Sequence, residues 1–239
     1  MIQRGDYDFR VEVRGDRACF TMPAFGAERR TYPVPTPSAM RGLLEAVFWK
    51  PEFRYEIARI GIIKAGTDAT ITRSEMQNQQ SLRGFAGGSK RTLRTTGYLL
   101  DVAYLIEARI VPLSHAVSDA QQNAHKKYLS QLLRRLEQGG HFQTPYLGLR
   151  EFAATVRLAD PDAEPNPRLN VAVGPVFFDN AFIPQGKEMT FRRKDKDGVR
   201  EVSGRTRPLF FDLRVVNGWI DVPRDLYDDI RVLEDRDVA

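Results

Sequence analysis

The chain has 239 residues, is 42% hydrophobic and 28% charged, and carries a formal net charge of +5. This is enough apolar material for a sizeable core and excludes a disordered chain, while no apolar run reaches the roughly 20 residues of a membrane-spanning helix. The N-terminal MIQRGDYDF lacks a signal-peptide core, and the single cysteine, Cys19, excludes an internal disulfide framework or a cysteine-based zinc site, so the expected compartment is the cytoplasm.

In chain order, residues 7–13 alternate apolar Tyr7, Phe9, Val11 and Val13 with polar neighbours, which predicts a half-buried strand; residues 17–22 suggest a short second one. The prolines of YPVPTP (32–37) hold the chain extended before a helix, with Thr36 as its cap and Pro37 at its first position. Met40, Leu43, Leu44 and Val47 supply the apolar face, Phe48 lies beside it, and Pro51 marks the end. Residues 53–64 read as a strand. The segment 81–97, SLRGFAGGSKRTLRTTG, carries Arg83, Lys90, Arg91 and Arg94, four glycines and no acid. It is not a P-loop: counted from Gly84, Ser89 replaces the second glycine and Arg91 follows Lys90 where Ser or Thr is required. It reads either as a basic loop that lays guanidinium and backbone N–H groups along phosphates or as a surface hairpin tip. Residues 98–112 form a strong strand with an apolar centre.

The most informative stretch is 118–152. Ser118 and Gln121 make a capping-box pattern, and Leu129, Leu132, Leu133 and Leu136 repeat at helical spacing until Gly139-Gly140 stops the helix. At about 100° per residue Lys127 falls opposite the leucine stripe, Tyr128 on its flank, and His125 one turn before Leu129 on the core side. Lys126, Arg134 and Arg135 add positive charge, and no acid occurs from residue 120 to 136. Such a face is either a solvated helix surface or a polyanion site. A strand over 152–158 follows.

Strand, helix, strand, strand, helix, strand is the ferredoxin-like βαββαβ pattern that also underlies RNA-recognition modules. The acidic, proline-rich DPDAEPNP (160–167) marks a domain boundary, so the expected architecture is α+β. A ferredoxin-like domain over 1–160, with the basic insertion near 81–97, precedes a small antiparallel β domain over 161–239. Expected strands in the latter are 171–178, 189–193, 209–216 and 219–222, with a charged hairpin over 192–207. Residues 221–239 hold seven acids and three arginines, net −4, and read as a solvated tail; +9 remains on the chain before them. A body this basic points to a polyanionic partner, nucleic acid before a membrane surface.

PTPSAMRGLLEAVFWKP (35–51), DVAYLIEA (101–108) and RRLEQGGHFQTPYLGLREF (134–152) together resemble the Cas-five subunit of subtype I-C, a CRISPR-associated family of the RAMP superfamily. The resemblance covers most of residues 1–160, and its PYLG-x-REF and WKP elements are the most specific. It implies a metal-independent endoribonuclease, without a cofactor, that cuts CRISPR repeat RNA 3′ of a hairpin, keeps the 5′ handle, and joins the backbone and large subunits in Cascade. The family's catalytic set is a tyrosine closing the first helix and a Lys-His pair opening the second. Here the tyrosine position holds Phe48, the lysine is Lys127, and the histidine position holds Tyr128, which leaves Lys127, Tyr128 and the displaced His125 as catalytic candidates. Phe48 has no proton to exchange and reads as a core aromatic. RNA-binding candidates are Arg83, Lys90, Arg91, Arg94, Lys126, Arg134, Arg135, Trp49 and Lys50; no metal ligands are expected. The competing reading is a subunit that holds the crRNA handle without cutting it, and duplex DNA is a further ligand that the basic loops suit.

Overall fold

The structure is a computed structural model that describes residues 7–26, 28–76, 91–113, 121–183, 188–195 and 198–235. Its elements in order are β1 (Phe9–Ala18), α1 (Pro37–Val47), β2 (Phe53–Lys64), β3 (Thr67–Met76), β4 (Arg91–Pro112), α2 (Gln121–Glu137), β5 (Thr155–Leu158), β6 (Val171–Ile183), β7 (Met189–Asp195), β8 (Gly198–Val215), β9 (Trp219–Asp221) and α3 (Asp225–Asp235). The fold is mixed α and β, mostly strand, and the ladders between these strands are antiparallel.

The larger sheet runs β5-β1-β4-β2-β9, with β3 pairing along the first half of β4, and a second sheet runs β6-β8-β7. Alternation sorts the two faces of β1. Phe9, Val11 and Val13 are buried in the main apolar cluster, which also takes Met40, Leu43, Leu44 and Val47 from α1 and Leu132 and Leu136 from α2. On the other face three buried glutamates each sit between two arginines. Glu12 is paired with Arg14 and Arg157, Glu107 with Arg10 and Arg59, and Glu56 with Arg54 and Arg231. A buried carboxylate is tolerable only when paired and hydrogen-bonded, and these pairs satisfy that condition.

The helix boundaries follow the sequence signals. The Thr36 hydroxyl accepts the Ala39 N–H at 3.2 Å with Pro37 behind it, so α1 starts where predicted. At the end of α2, Gly139 takes a positive φ of 65° and the Gly140 N–H returns to the Arg135 carbonyl at 2.8 Å. Ser118 lies outside the described residues, as do Arg83 and Lys90.

Several expectations are revised. Residues 17 and 18 continue β1, and beyond it Thr21 makes only a single bridge to Thr31. The last strand of the first half begins at Thr155, because Tyr146 to Ala153 folds back as a turn with one bridge. Residues 91–97 of the expected loop are strand, laddered with β3 from Met76↔Arg91 to Thr70↔Gly97. The charged hairpin is the β7–β8 ladder. Residues 225–235 form α3 where a solvated tail was expected. Its apolar residues recur at helical spacing, and Tyr227 and Ile230 enter the core. Arg41 of α1 grips Asp179 of β6 with two hydrogen bonds of 2.7 and 2.9 Å, and β9 pairs with β2, so residues beyond 160 are joined both to α1 and to the larger sheet. Among the described residues no helix is long and apolar enough to cross a membrane.

Candidate active site and nucleic-acid interface

The site assembles where α1 ends. The last carbonyls of a helix lack intrahelical partners and form the negative end of its dipole. Here they are met from two directions. The Phe142 N–H reaches the carbonyls of Ala46 and Val47 at 3.0 and 3.1 Å, and the Gln143 N–H reaches Ala46 at 2.9 Å. Arg135 of α2 donates to the Val47 carbonyl at 3.0 Å and lays its guanidinium over the Phe48 ring at 5.0 Å. Arg135 is therefore occupied as a clamp between the helices, although the sequence placed it among the RNA-binding residues.

Phe48 is 1% exposed, as a core aromatic should be. Its ring packs on Phe53 at 5.5 Å, and its carbonyl accepts the buried Tyr55 hydroxyl at 2.7 Å. Tyr128 closes the cluster, with its ring 5.0 Å from Phe53 and 6.4 Å from Phe48. Partial burial, with the charge of Glu52 nearby, pushes the Tyr128 phenol above its ordinary pKa, so it is a proton donor rather than a standing phenolate. The Lys127 ammonium lies 5.7 Å from the Tyr128 ring and is exposed to solvent, as are Lys126 and Arg134.

His125 departs from expectation. It does not enter the core; its side chain is 36% exposed and its Nε2 lies 2.7 Å from the Asp8 carboxylate. Ala124 takes the buried place, at 3% exposure, and turns His125 to the flank. Asp8 was missed by sequence reasoning, since a lone acid just before a strand carries no pattern.

Beside the α1 end, Trp49 is 50% and Phe142 70% exposed, with Lys50 and His141 also in solvent. The backbone bonds of Phe142 bring these two aromatics to the same end of the helix. Phe142 too was not singled out from the sequence, and an aromatic in the polar loop GGHFQ was the available signal. Arg91 and Arg94 belong elsewhere. Tyr128 packs against Phe53, which pairs with Pro112 at the far end of β4. Arg94 is 18 residues back along that strand, roughly 60 Å of extended chain, and it is within 3.5 Å of Glu75. The predicted basic residues thus form two regions. Among the described residues no three His, Cys, Asp or Glu side chains converge on a point that would hold a metal ion.

The family model of the Cas5d type, described as CRISPR-associated protein (Cas_Cas5), matches residues 9–223. The chain belongs to the Cas5d family. Among its Cas5d relatives is a CRISPR pre-crRNA endoribonuclease of Thermus thermophilus, 46% identical over 229 residues that cover 95% of this chain and 96% of the relative. A second protein of that name, from Mannheimia succiniciproducens, is 33% identical over 231 residues, covering 90% and 94%. Two solved structures share the Cas5d fold seen here. A functionally uncharacterized protein, SMU1763c from Streptococcus mutans, has a TM-score of 0.62 at 21% identity, covering 91% of this chain and 93% of that one. A CRISPR-associated protein has a TM-score of 0.61 at 23% identity, covering 90% and 91%.

Proposed function

We propose that this Cas5d protein is the endoribonuclease that cuts CRISPR repeat RNA 3′ of its hairpin and remains on the 5′ handle as a Cascade subunit, in the cytoplasm where the transcript is made. The observation that carries the reading is the 46% identity, over 95% of the chain, to a pre-crRNA endoribonuclease. Cleavage proceeds by attack of the 2′-OH on the adjacent phosphorus without a metal, giving a 2′,3′-cyclic phosphate and a 5′-OH. Lys127, an exposed and compact ammonium beside Tyr128, neutralises the charge that builds on the phosphorane. Lys126, Arg134 and Lys50 take phosphates near the cut, while Trp49 and Phe142 offer faces on which unpaired bases stack. The β3–β4 ribbon, with Arg91 and Arg94, holds a more distant part of the RNA or a duplex, and Arg83 and Lys90, in the sequence between its two strands, add to that charge.

We read residues 1–160 as a ferredoxin-like domain, a reading supported by the order β5-β1-β4-β2 with α1 and α2 as its crossovers and β3 as an addition to β4. Residues 161–239 form the smaller β domain, which lends β9 to the larger sheet.

A second reading has one observation in its favour: Phe48 fills the family's tyrosine position with a buried ring that cannot transfer a proton. It makes the protein a handle-binding subunit that does not cut. A cleavage assay on cognate repeat RNA in EDTA decides between them, with Lys127→Ala and a substrate bearing one 2′-deoxy sugar at the scissile position as controls. Cutting that is lost in both controls supports the nuclease. Tight binding with no cut by the wild type supports the second reading.

A further inference from the structure

We propose that Asp8 and His125 form a proton-transfer pair in which Asp8 is a positioning residue that sets the tautomer of His125, making Nδ1 the general base toward the ribose 2′-OH. This inference rests on the endoribonuclease reading and deepens it.

The geometry is specific. His125 Nε2 and Asp8 Oδ2 are 2.7 Å apart. The same oxygen accepts the Ile110 N–H at 2.8 Å, and the Asp8 N–H donates to the Ala108 carbonyl at 3.0 Å, so β4 fixes both the carboxylate and the backbone that carries it. An ionised carboxylate only accepts hydrogen bonds. The proton between the two groups therefore sits on Nε2, and the lone pair of the neutral ring is on Nδ1. The side chain of His125 is 36% exposed against 21% for Asp8, so the ring is the wetter partner and within reach of a ligand.

Placement connects the pair to the site. His125 and Tyr128 are three residues apart on α2, which puts them on one side of the helix about one turn from each other. Asp8 is bonded to the Ala108–Ile110 stretch of β4, and Tyr128 packs against Phe53, the partner of Pro112 on that same strand end. Tyr128 and the Asp8–His125 pair thus lie at one end of the sheet, and Lys127 joins them through its ammonium 5.7 Å from the Tyr128 ring. The histidine that the family pattern places at residue 128 is replaced by an imidazole one turn earlier, oriented by a carboxylate from another element. An oriented base of this kind keeps its lone pair directed at the substrate instead of sampling both tautomers.

Nδ1 takes the 2′-OH proton as the 2′ oxygen forms its bond to phosphorus. The P–O5′ bond breaks, and the departing oxygen takes a proton from the Lys127 ammonium. After product leaves, the imidazolium proton restores the ammonium through solvent, so no proton is consumed.

The test is single-turnover cleavage of repeat RNA by wild type, Asp8→Ala, His125→Gln and His125→Ala, with RNA affinity and thermal melting measured on each. Asp8→Ala removes the one oxygen that accepts both the Ile110 N–H and the Nε2 proton, so the ring is free to carry its proton on either nitrogen. Expected is a loss of about 10²- to 10⁴-fold in cleavage rate for His125→Gln and of about 10-fold or more for Asp8→Ala, with affinity within about two-fold for both, and partial rescue of His125→Ala by free imidazole. The ring ¹⁵N spectrum should show a bare Nδ1 in wild type and a mixture of the two tautomers in Asp8→Ala, a signature that a merely structural contact would not produce. Wild-type cleavage by Asp8→Ala or His125→Gln, or a wild-type ring protonated on Nδ1 and bare on Nε2, overturns this assignment alone. A wild type that binds repeat RNA and leaves it intact overturns the nuclease reading, and this assignment with it.

Discussion

Gly148, in the PYLG stretch, is the position where one added carbon should be felt most. Its φ is +82°, and a Cβ built there would sit 1.8 Å from the Cys19 carbonyl oxygen and 2.7 Å from its carbon. Ordinary contact begins near 3.4 Å, so the backbone at Cys19, just past β1, and that of the 146–153 turn must separate by more than about 1.5 Å. That separation breaks the Cys19 N–H to Leu147 carbonyl bond of 3.0 Å and unseats Leu147, which is fully buried. The left-handed backbone alone costs an alanine about 1 kcal/mol. Overpacking and the lost hydrogen bond add about 2 kcal/mol or more, for a total of at least about 3 kcal/mol. Gly139 is the matched control, with φ +65° and nothing within 4 Å of its Cβ, so Gly139→Ala bears only the backbone term. At about 2–4 °C per kcal/mol for a chain of this size, Gly148→Ala should melt at least about 6 °C below wild type, and Gly139→Ala only about 2–4 °C below. Circular dichroism melts of the three proteins read both shifts. Equal shifts for the two alanines would refute the claim that crowding against Cys19, and not backbone conformation, makes glycine necessary.

The neighbouring arginines of α2 should separate cleanly. Arg135→Ala loses its bond to the Val47 carbonyl and its contact with Phe48, and should cost about 2 kcal/mol in urea denaturation with little change in RNA affinity. Arg134→Ala should leave stability within about 0.5 kcal/mol and lower the slope of log affinity against log salt by about 1, measured by filter binding. Trp49→Ala and Phe142→Ala should each weaken binding of a single-stranded repeat fragment about 10-fold, read by fluorescence anisotropy, since one stacked base is worth about 1–3 kcal/mol. Unchanged affinity in both would remove the stacking surface. Burial pushes the Glu12 carboxyl up, but hydrogen bonds and charge from Arg157 and Arg14 outweigh it and hold the folded-state pKa below the ordinary 4.5. The stability from this group is present above pH 4.5 and is lost as pH falls through the lower folded-state value. Glu12→Gln should therefore flatten the acid limb of stability below about pH 4.5, measured as urea midpoints at successive pH values.

What the sequence determined by itself is what local pattern encodes. Thr36-Pro37 fixes the start of α1, Gly139-Gly140 the end of α2, and alternation in residues 7–13 the first strand, because caps, stops and a period of two act within a few residues. The family was also legible, since its motifs lie in contiguous stretches such as PYLG-x-REF. Tertiary structure alone decided the rest. The acids of residues 225–235 look like a solvated tail until Tyr227 and Ile230 find a core made by distant strands. Arg135 looks like a phosphate ligand until the end of α1 supplies a carbonyl and a ring to hold it. His125 looks like a core residue until Asp8, 117 positions away, gives it a carboxylate. Side-chain charge and periodicity are properties of a segment, whereas the partner that fixes a charged group's role comes from wherever the fold delivers it.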